Sequence, residues 1–125
     1  MESHGFFHWN ELMTRDAEAA KRFYGATLGW TFDGMSMETG TYWVAKMGDT
    51  PVGGIFPMSG SDYDDVPEHW FAYIAVDDVD ARLQKATAGG GQILREPFDV
   101  PGVGRIAIVE DPTGAAIGWI TPAEE

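Results

Sequence analysis

The sequence predicts an α+β domain made of two copies of one β-α-β-β-β unit, with the strands in a curved mixed sheet around a cleft and the helices outside. Two observations predict this: landmark residues recur at one constant offset, and each copy has a capped helix flanked by short strand-like segments. With 125 residues, of which 44% are hydrophobic, the chain is long enough to bury the core of one domain.

The repeat is visible as pairs of like residues at the same separation. Asp16 and Asp78 stand 62 positions apart and each opens a helical segment. The same offset, without gaps, relates three further pairs: Gly29 and Gly91, Asp49 and Asp111, and Ile55 and Ile117. We therefore divide a single domain, residues 1–125, into modules at about 5–58 and 69–122, joined by the acidic linker 59–68.

Each unit opens with a strand followed by a helix. The opening strands, about 7–14 and 69–76, are rich in aromatic and β-branched residues. Asp16 and Asp78 are expected as helix N-caps, each followed two residues later by an acid that favours the positive end of the helix. Lys21 and Arg22 lie outside the apolar stripe of the first helix, which consists of Ala20, Phe23, Tyr24 and Leu28. Both helices are expected to end at glycine, at Gly29 and in the run 89–91.

Three short strands follow each helix. We predict them at about 30–32, 41–47 and 51–56 in the first unit, and at about 92–95, 104–109 and 115–120 in the second. The last two strands of each unit are joined by turn-forming residues, Gly48-Asp49 and Asp111-Pro112-Thr113-Gly114. Burial of the apolar faces of two such units predicts a combined sheet with its cleft on the surface opposite the helices.

Composition excludes several classes of partner and site. The net charge of −12 repels phosphate backbones and anionic lipid surfaces, so neither nucleic acid nor a membrane is expected as a partner. The absence of cysteine excludes disulfides, a thiol nucleophile and thiolate metal sites. No signal peptide and no run of about 18 apolar residues is visible, and we therefore expect a cytoplasmic protein.

Three segments resemble signatures of a known family. The stretch Asp-Ala-Glu-Ala-Ala-Lys-Arg-Phe-Tyr-Gly-Ala-Thr-Leu-Gly-Trp (16–30) resembles the first-helix signature of the vicinal oxygen chelate superfamily, which includes glyoxalase I, bleomycin-resistance proteins and extradiol dioxygenases. Val-Asp-Asp-Val-Asp-Ala (76–81) and Glu-Asp-Pro-Thr-Gly-Ala-Ala-Ile-Gly-Trp (110–119) resemble its second-half signatures. The run 100–105 is similar to a glyoxalase-like or hydroxylase-like subgroup. The resemblance implies the superfamily's duplicated fold.

The resemblance also implies where a metal would be held. Metal-using members place His or Gln at the start of each unit's first strand and Glu in its last strand. By this resemblance, the positions here carry side chains that cannot bind a metal: Trp9, Phe71, Gly118 and about Gly53 or Gly54. His8 has the opposite strand parity, and His69 has only Glu11 beside it, whereas catalytic metals usually take about three protein ligands. We therefore expect no cofactor, with a divalent metal as the disfavoured alternative.

Strand alternation divides the side chains of the opening strands between two faces. We expect Leu12, Ile74 and Val76 to face the helices. The residues expected to face the cleft are Trp9, Glu11, Met13, His69, Phe71 and Tyr73. Trp43 and Trp119, which lie on inner strands, are added as candidates for ligand binding.

Glu11 and His69 are the candidate catalytic residues. A carboxylate within a sheet strand is costly to bury unpaired, so Glu11 either forms a salt bridge, for example with Arg105, or anchors a ligand cation or hydroxyl, or acts as a base. Arg105 in turn either pairs with Glu11 or binds an anionic ligand group. His69 is either a hydrogen-bonded strand-start histidine or part of the site.

The aromatic residues also admit two interpretations. Trp9 and Phe71 either fill the cleft as core or stack on a planar ligand, and the Tyr73 hydroxyl then orients that ligand. The leading hypothesis is a metal-free protein that binds a small hydrophobic or aromatic molecule. The alternatives are a metal-dependent or Glu11-based lyase, isomerase or dioxygenase-like enzyme, and an interaction module whose exposed sheet edge pairs two copies as a homodimer.

Overall fold

The computed structural model describes residues 4–37, 40–100 and 103–123, except for the side chain of Asp62. Within these ranges the chain forms eight β-strands, two α-helices and one short 3-10 helix, which confirms the predicted α+β class. The elements in chain order are β1 Phe7–Thr14, α1 Ala17–Leu28, β2 Thr31–Met37, β3 Gly40–Met47, β4 Thr50–Pro57, the 3-10 helix Ser61–Tyr63, β5 His69–Ala75, α2 Val79–Ala88, β6 Gln92–Val100, β7 Gly104–Glu110 and β8 Ala116–Pro122. Pro101 and Gly102, in the run that is similar to a subgroup, lie outside the described residues.

The chain folds into two compact units. The first unit is Trp9–Phe71, and the second unit consists of the described residues before Trp9 and after Phe71. The acidic linker 59–68 thus folds with the first unit. Arg15, directly after β1, holds it there: its side chain donates to the Glu68 carboxylate at 2.8 Å, to the Val66 carbonyl at 2.7 Å and to the Tyr63 carbonyl.

The two units have the same strand topology. In the first unit the strand order is β2-β3-β4-β1, with β1 parallel to β4 and the other neighbours antiparallel. In the second unit the order is β6-β7-β8-β5, with β5 parallel to β8 and again antiparallel neighbours elsewhere. Parallel first and last strands with antiparallel strands between them are the β-α-β-β-β unit expected from the internal repeat.

The repeat is less regular in space than in sequence. Leu12 in β1 pairs with Ile55 in β4, and the counterpart of Leu12 in the second unit, Ile74, pairs with Trp119. The structural counterpart of Ile55 is therefore Trp119, two residues beyond the Ile117 that the constant offset predicted. Several differences between the units contribute to these two residues: β6 has two register shifts, β4 has one, and the turn before β8 is longer than the turn before β4.

Two strands are longer than predicted. The strand predicted at about 92–95 continues as β6 to Val100, through its two bulges. The strand predicted at about 30–32 continues as β2 to Met37 and includes Gly34. A side chain at Gly34 would lie 2.9 Å from the Trp43 ring, so this glycine keeps space for a neighbouring strand's ring and does not mark a turn.

The predicted helix caps are present. The Asp16 carboxylate accepts a hydrogen bond from Ala19 N at 3.0 Å, and the Asp78 carboxylate accepts one from Ala81 N at 3.2 Å. Gly29 ends α1 in the left-handed conformation with φ +80°, which favours glycine. After α2 the left-handed residue is Gly90, with φ +96°.

The predicted apolar stripe of α1 is wrong in part. Phe23 and Leu28 are 59% and 49% exposed, and no residue of α1 is fully buried. Lys21, predicted to lie outside the stripe, places its Nζ 3.1 Å from the centre of the Trp43 ring and 2.9 Å from Glu18. A lysine stem can cover apolar surface, and its ammonium is attracted to an aromatic face, so this lysine packs where an apolar residue was expected.

The buried core of each unit lies between helix and sheet. In the second unit it contains Val79 and Leu83 from α2, packed with Val76, Ala107 and Val109. In the first unit the buried apolar residues of the sheet are Leu12, Ala45 and Ile55. No helix in the described ranges is long and apolar enough to cross a membrane.

Candidate functional site

The first unit's sheet has a helix face and an opposite face. Leu12, Ile55 and Trp43 are register partners across β1, β4 and β3, and the α1 residue Lys21 lies over the Trp43 ring. This row therefore faces α1. Glu11 and its register partner Gly54 lie on the other face, because neighbouring strand residues point to opposite sides. We call this second face, which carries Trp9, Glu11 and Tyr42, the site face.

A chain of two hydrogen bonds connects three side chains on the site face. The Trp9 indole Nε1 donates to the Tyr42 hydroxyl at 2.9 Å, and that hydroxyl donates to Glu11 Oε1 at 3.0 Å. The direction is determined by chemistry, because an indole N–H can only donate and a phenol has one proton to give. The Tyr42 hydroxyl is thus directed towards the carboxylate, and the Trp9 N–H is directed towards that hydroxyl.

Gly54 makes this arrangement possible. Tyr42 is on β3 and Glu11 is on β1, so the phenol has to reach across the intervening strand β4. A Cβ atom at Gly54 would lie 1.8 Å from the Tyr42 hydroxyl oxygen. The missing side chain of Gly54 is therefore the space that the phenol occupies.

Burial determines the protonation state of Tyr42. Loss of water around the ring raises the pKa of Tyr42 far above its ordinary value, and the negative charge of Glu11 raises this pKa further. Tyr42 is therefore a neutral hydrogen-bond donor throughout the physiological range. Glu11 itself is only 7% exposed, and the Tyr42 hydroxyl is one of the groups that offset its loss of water.

The salt bridge between Arg105 and Glu11, one of the two sequence interpretations, is wrong. Arg105 donates to the carboxylates of Asp80 at 2.8 Å and of Asp99 at 3.1 Å, both of them in the second unit. These two carboxylates raise the pKa of Arg105 above its usual range. Its guanidinium is already held by two acids, which also weakens its assignment as a ligand-binding residue.

His69 and Phe71 share the orientation of the site face. Between them, Trp70 donates its indole N–H to the hydroxyl of Tyr24 on α1 at 3.2 Å, so Trp70 faces the helix. Alternation then turns His69 and Phe71 to the opposite side, with their rings 6.2 Å apart and nearly perpendicular. His69 Nδ1 lies 2.7 Å from the Pro67 carbonyl, which can only accept, so in the neutral ring Nε2 is the acceptor atom.

The two inner-strand tryptophans do not join this face. Trp43 lies under Lys21 on the helix face of the first unit. Trp119 packs against the helix-side core of the second unit and borders a cavity of about 170 Å³ near the end of α2. Both candidates therefore have helix-facing parity in their strands, unlike Trp9 and Glu11, and their role in ligand binding stays a prediction.

The remaining candidates keep their predicted strand positions. Met13 is half-buried two residues after Glu11 on β1. Tyr73 pairs with Gly118 in the second unit, and its neighbour Ile74 packs against the helix-side core, so Tyr73 points away from α2. The roles of Met13, His69, Phe71 and Tyr73 in ligand binding stay predictions.

The donor set does not fit the metal that the superfamily resemblance implies. Trp9, Phe71, Gly54 and Gly118 stand at the expected ligand positions, and none of them offers a lone pair from its side chain to a metal ion. Among the residues that the structure describes, no three His, Asp or Glu side chains are grouped closely enough to hold one.

Comparisons with known sequences agree on the family. The sequence model of the Glyoxalase/Bleomycin resistance protein/Dioxygenase superfamily matches residues 6–118. CFP32 of Mycobacterium tuberculosis, a glyoxylase by name, is 45% identical over 97% of this chain and 46% of its own length. The anthracycline biosynthesis protein DnrV of Streptomyces peucetius is 37% identical over 93% of this chain and 41% of its own length. The chain thus spans about half the length of these relatives.

Solved structures show the same fold at low sequence identity. A hypothetical protein, BH1468 of Bacillus halodurans, superposes with a TM-score of 0.74 at 14% identity, covering 95% of both chains. Methylmalonyl-CoA epimerase of Mycobacterium tuberculosis gives a TM-score of 0.69 at 15% identity, covering 99% of this chain and 93% of its own. With the family match across most of the chain, these findings confirm the resemblance seen in its helix and turn segments: the protein belongs to the glyoxalase/bleomycin resistance protein/dioxygenase superfamily.

Proposed function

We propose that this protein binds a small hydrophobic or aromatic molecule against the site face of its first unit, without the superfamily's metal. The observation that carries the proposal is the hydrogen-bonded chain from Trp9 through Tyr42 to Glu11. It places a held aromatic ring beside a buried carboxylate, on the face that α1 does not cover.

Trp9 supplies the apolar contact. Its indole N–H is occupied by Tyr42, so the ring plane is held before a ligand arrives and little side-chain entropy is lost on binding. An offset or edge-to-face aromatic pair contributes about 0.5–1.5 kcal/mol beyond the area that it buries. Met13, His69 and Phe71, which have the same orientation, extend this surface in the proposal.

Glu11 supplies the polar contact. An ionised carboxylate can only accept hydrogen bonds, so the matching ligand group is a hydroxyl or an ammonium. The net charge of −12 also favours a neutral or cationic ligand over an anion. The proposed ligand is therefore a planar apolar molecule that carries a hydrogen-bond donor.

The names of the relatives support a planar ligand. Two curated relatives, 37% and 33% identical to this chain, are named anthracycline biosynthesis proteins, and anthracyclines are fused-ring aromatic molecules. The chain spans 41% and 44% of the lengths of these relatives. Their names therefore support a class of ligand, planar fused-ring molecules, and not one particular compound.

Quenching of tryptophan fluorescence by a panel of planar metabolites and antibiotics tests the proposal. Trp9→Leu should weaken binding of a responding ligand by about tenfold, the equivalent of one aromatic contact. Trp43→Phe, on the helix face, is the matched control and should leave the dissociation constant unchanged. Equal affinity of Trp9→Leu and wild type, or no response to any compound in the panel, would refute the proposed site.

Glu11 also supports a second candidate function, an enzyme of the lyase, isomerase or dioxygenase type. A buried carboxylate held by a neutral phenol is a suitable general base once a substrate proton lies within hydrogen-bond reach. Proton exchange of a candidate substrate in deuterated water, followed by NMR, tests this, and Glu11→Gln should abolish it. Elemental analysis of untagged protein separates the metal-dependent form, since a stoichiometric divalent ion contradicts metal-free binding.

A further inference from the structure

A cavity of about 170 Å³ lies between the end of α2 and the sheet of the second unit. The sheet contributes Val109, Ile117 and Trp119 to its lining, and α2 contributes Ala86. The turn before β8 contributes Asp111. The cavity is partly open to solvent, so a small molecule can enter it without displacing the helix. We call this cavity the α2 pocket.

The internal repeat shows what fills the corresponding place in the first unit. Counted from the N-cap of each helix, Tyr24 is the counterpart of Ala86, and Trp30 is the counterpart of Gln92. The Tyr24 ring stacks on Trp30 at 5.4 Å and meets Trp70 edge-on at 5.6 Å. Three aromatic rings thus pack α1 on its own sheet at this end, where the second unit has an alanine and an exposed glutamine.

The sheet residues of the two units differ in exposure at the same place. By strand register, the counterpart of Trp119 is Ile55, and the counterpart of Ile117 is Gly53. Ile55 is 1% exposed, and the Trp70 ring lies 3.9 Å from the position that a Cβ at Gly53 would take. Trp119 and Ile117, in contrast, are only partly buried against the core. The second unit therefore leaves apolar surface accessible where the first unit covers its sheet with a ring.

The walls of the α2 pocket are held in place by hydrogen bonds of their own. At the end of α2, the Gly91 N–H donates to the Ala86 carbonyl at 2.9 Å, and a Cβ at Gly91 would lie only 2.9 Å from the Glu110 carbonyl oxygen. In the turn before β8, the Asp111 carboxylate accepts hydrogen bonds from the Thr113 hydroxyl and from two backbone N–H groups. Walls that are ordered before binding lose little conformational entropy when a ligand enters.

We propose that the α2 pocket binds a small neutral molecule with one aromatic ring, in the place that the Tyr24 ring fills in the first unit. An engineered apolar cavity of about 150 Å³ binds benzene, so a cavity of about 170 Å³ has room for one ring. The accessible part of the Trp119 ring offers an aromatic contact, and the carboxylate of Asp111 disfavours an anionic ligand. The α2 pocket belongs to the second unit and lies on its helix side, so it is a separate site from the site face of the first unit.

Titration of the labelled wild-type protein with p-cresol, followed by NMR, tests the proposal. p-Cresol is the tyrosine side chain as a free molecule, so it matches the ring that Tyr24 supplies in the first unit. Binding should saturate with a dissociation constant of about 1 mM, shift the Trp119 indole N–H and give NOEs from the p-cresol ring to Ala86 and Val109. p-Toluate, which carries a carboxylate in place of the hydroxyl, should bind at least about tenfold more weakly.

A pair of matched variants assigns the binding to the α2 pocket. Ala86→Leu fills the pocket and should raise the dissociation constant for p-cresol at least about tenfold. Ala88→Leu makes the same change at an exposed position two residues later on α2 and should leave this constant unchanged.

Several results would overturn the proposal. They are shifts that do not saturate by about 20 mM p-cresol, equal binding of p-toluate, and p-cresol binding that is unchanged in Ala86→Leu. NOEs to Trp9 and Tyr42 in place of Ala86 and Val109 would also overturn it, because p-cresol would then occupy the site face. Since the NOEs are recorded on wild type, they decide the question even if Ala86→Leu does not fold.

Discussion

Gly54→Ala is the substitution that most directly tests the structure of the site. The added Cβ would lie 1.8 Å from the Tyr42 hydroxyl oxygen and 2.4 Å from its ring carbon Cζ, so the phenol has to leave. Its departure breaks the hydrogen bond from Trp9 and the hydrogen bond to Glu11. The predicted effect is therefore much larger than that of an ordinary glycine-to-alanine change in a strand.

The magnitude follows from the two lost bonds and the overpacking. A hydrogen bond to a charged group contributes about 1.5–3 kcal/mol and a neutral one about 0.5–1.5. Forcing extra volume into a packed site costs about 1–3 kcal/mol, although partial relaxation overlaps with the lost bonds. We expect Gly54→Ala to lower the free energy of unfolding by about 3–5 kcal/mol, a large share of the 5–15 kcal/mol of a typical domain.

Urea denaturation followed by circular dichroism measures this loss, and a double-mutant cycle assigns its cause. In a Tyr42→Ala background the same Gly54→Ala change should cost less than about 1 kcal/mol, because the phenol that it displaces is absent and alanine is tolerated in strands better than glycine. An equal cost in both backgrounds would mean that the glycine serves the backbone and not Tyr42. A cost below about 1 kcal/mol in wild type would refute the geometry of the hydrogen-bonded chain.

Two further predictions concern side chains around the first unit. Tyr42→Phe keeps the ring and removes the hydroxyl, so the free energy of unfolding, measured by thermal unfolding, should fall by about 1–3 kcal/mol. Tyr24→Phe is the control: the Tyr24 hydroxyl accepts an exposed hydrogen bond from Trp70, so its loss should cost clearly less. The pKa of Glu68 is lowered below the ordinary 4.5, chiefly by the hydrogen bond from the Arg15 backbone N–H. The positive charge of Arg15 and the hydrogen bond from Thr14 lower this pKa further. Since this folded-state pKa lies below the unfolded one, the stabilisation is complete above about pH 4.5 and is lost as the pH falls further. Arg15→Ala keeps the backbone N–H and removes the charge, so it should destabilise more at neutral pH than in acid, where only the bonds to the Tyr63 and Val66 carbonyls are lost. A stability difference that does not change with pH would contradict the assigned ion pair, and Lys85→Ala is the control.

The elements that sequence predicted well depend on neighbours along the chain. The bounds of β1 and the capping of both helices by Asp16 and Asp78 agree with the structure. A cap bonds to an amide three residues away, and strand alternation is a property of a single backbone, so both can be read from a short window of residues. The same local rule correctly separated Leu12 and Ile74 from their neighbours Glu11 and Tyr73.

Predictions that required a partner from another strand or helix were less successful. Trp43 and Trp119 were candidates for the ligand side, but Trp43 pairs with Ile55 and Trp119 pairs with Ile74, and both partners face the helices. The register between strands, which decides this, cannot be read from one strand alone. Arg105 was given Glu11 as an alternative partner, but its bonds go to Asp80 and Asp99. The sequence alone allows Arg105 to pair with any acidic residue, whereas the distances in the structure show which acids it contacts.

By itself, the sequence determined the class, the internal repeat and the face on which Trp9 and Glu11 lie, because a constant offset and the alternation of a strand can both be read along one chain. The family came from the resemblance of three segments to known signatures, which the family match confirms. Tertiary structure alone decided that Tyr42, 31 residues from Glu11, is the residue that joins them. The arrangement depends on Gly54, because the Tyr42 ring crosses β4 through the space that a side chain at Gly54 would occupy. In the sequence, this glycine indicates only a weak strand residue.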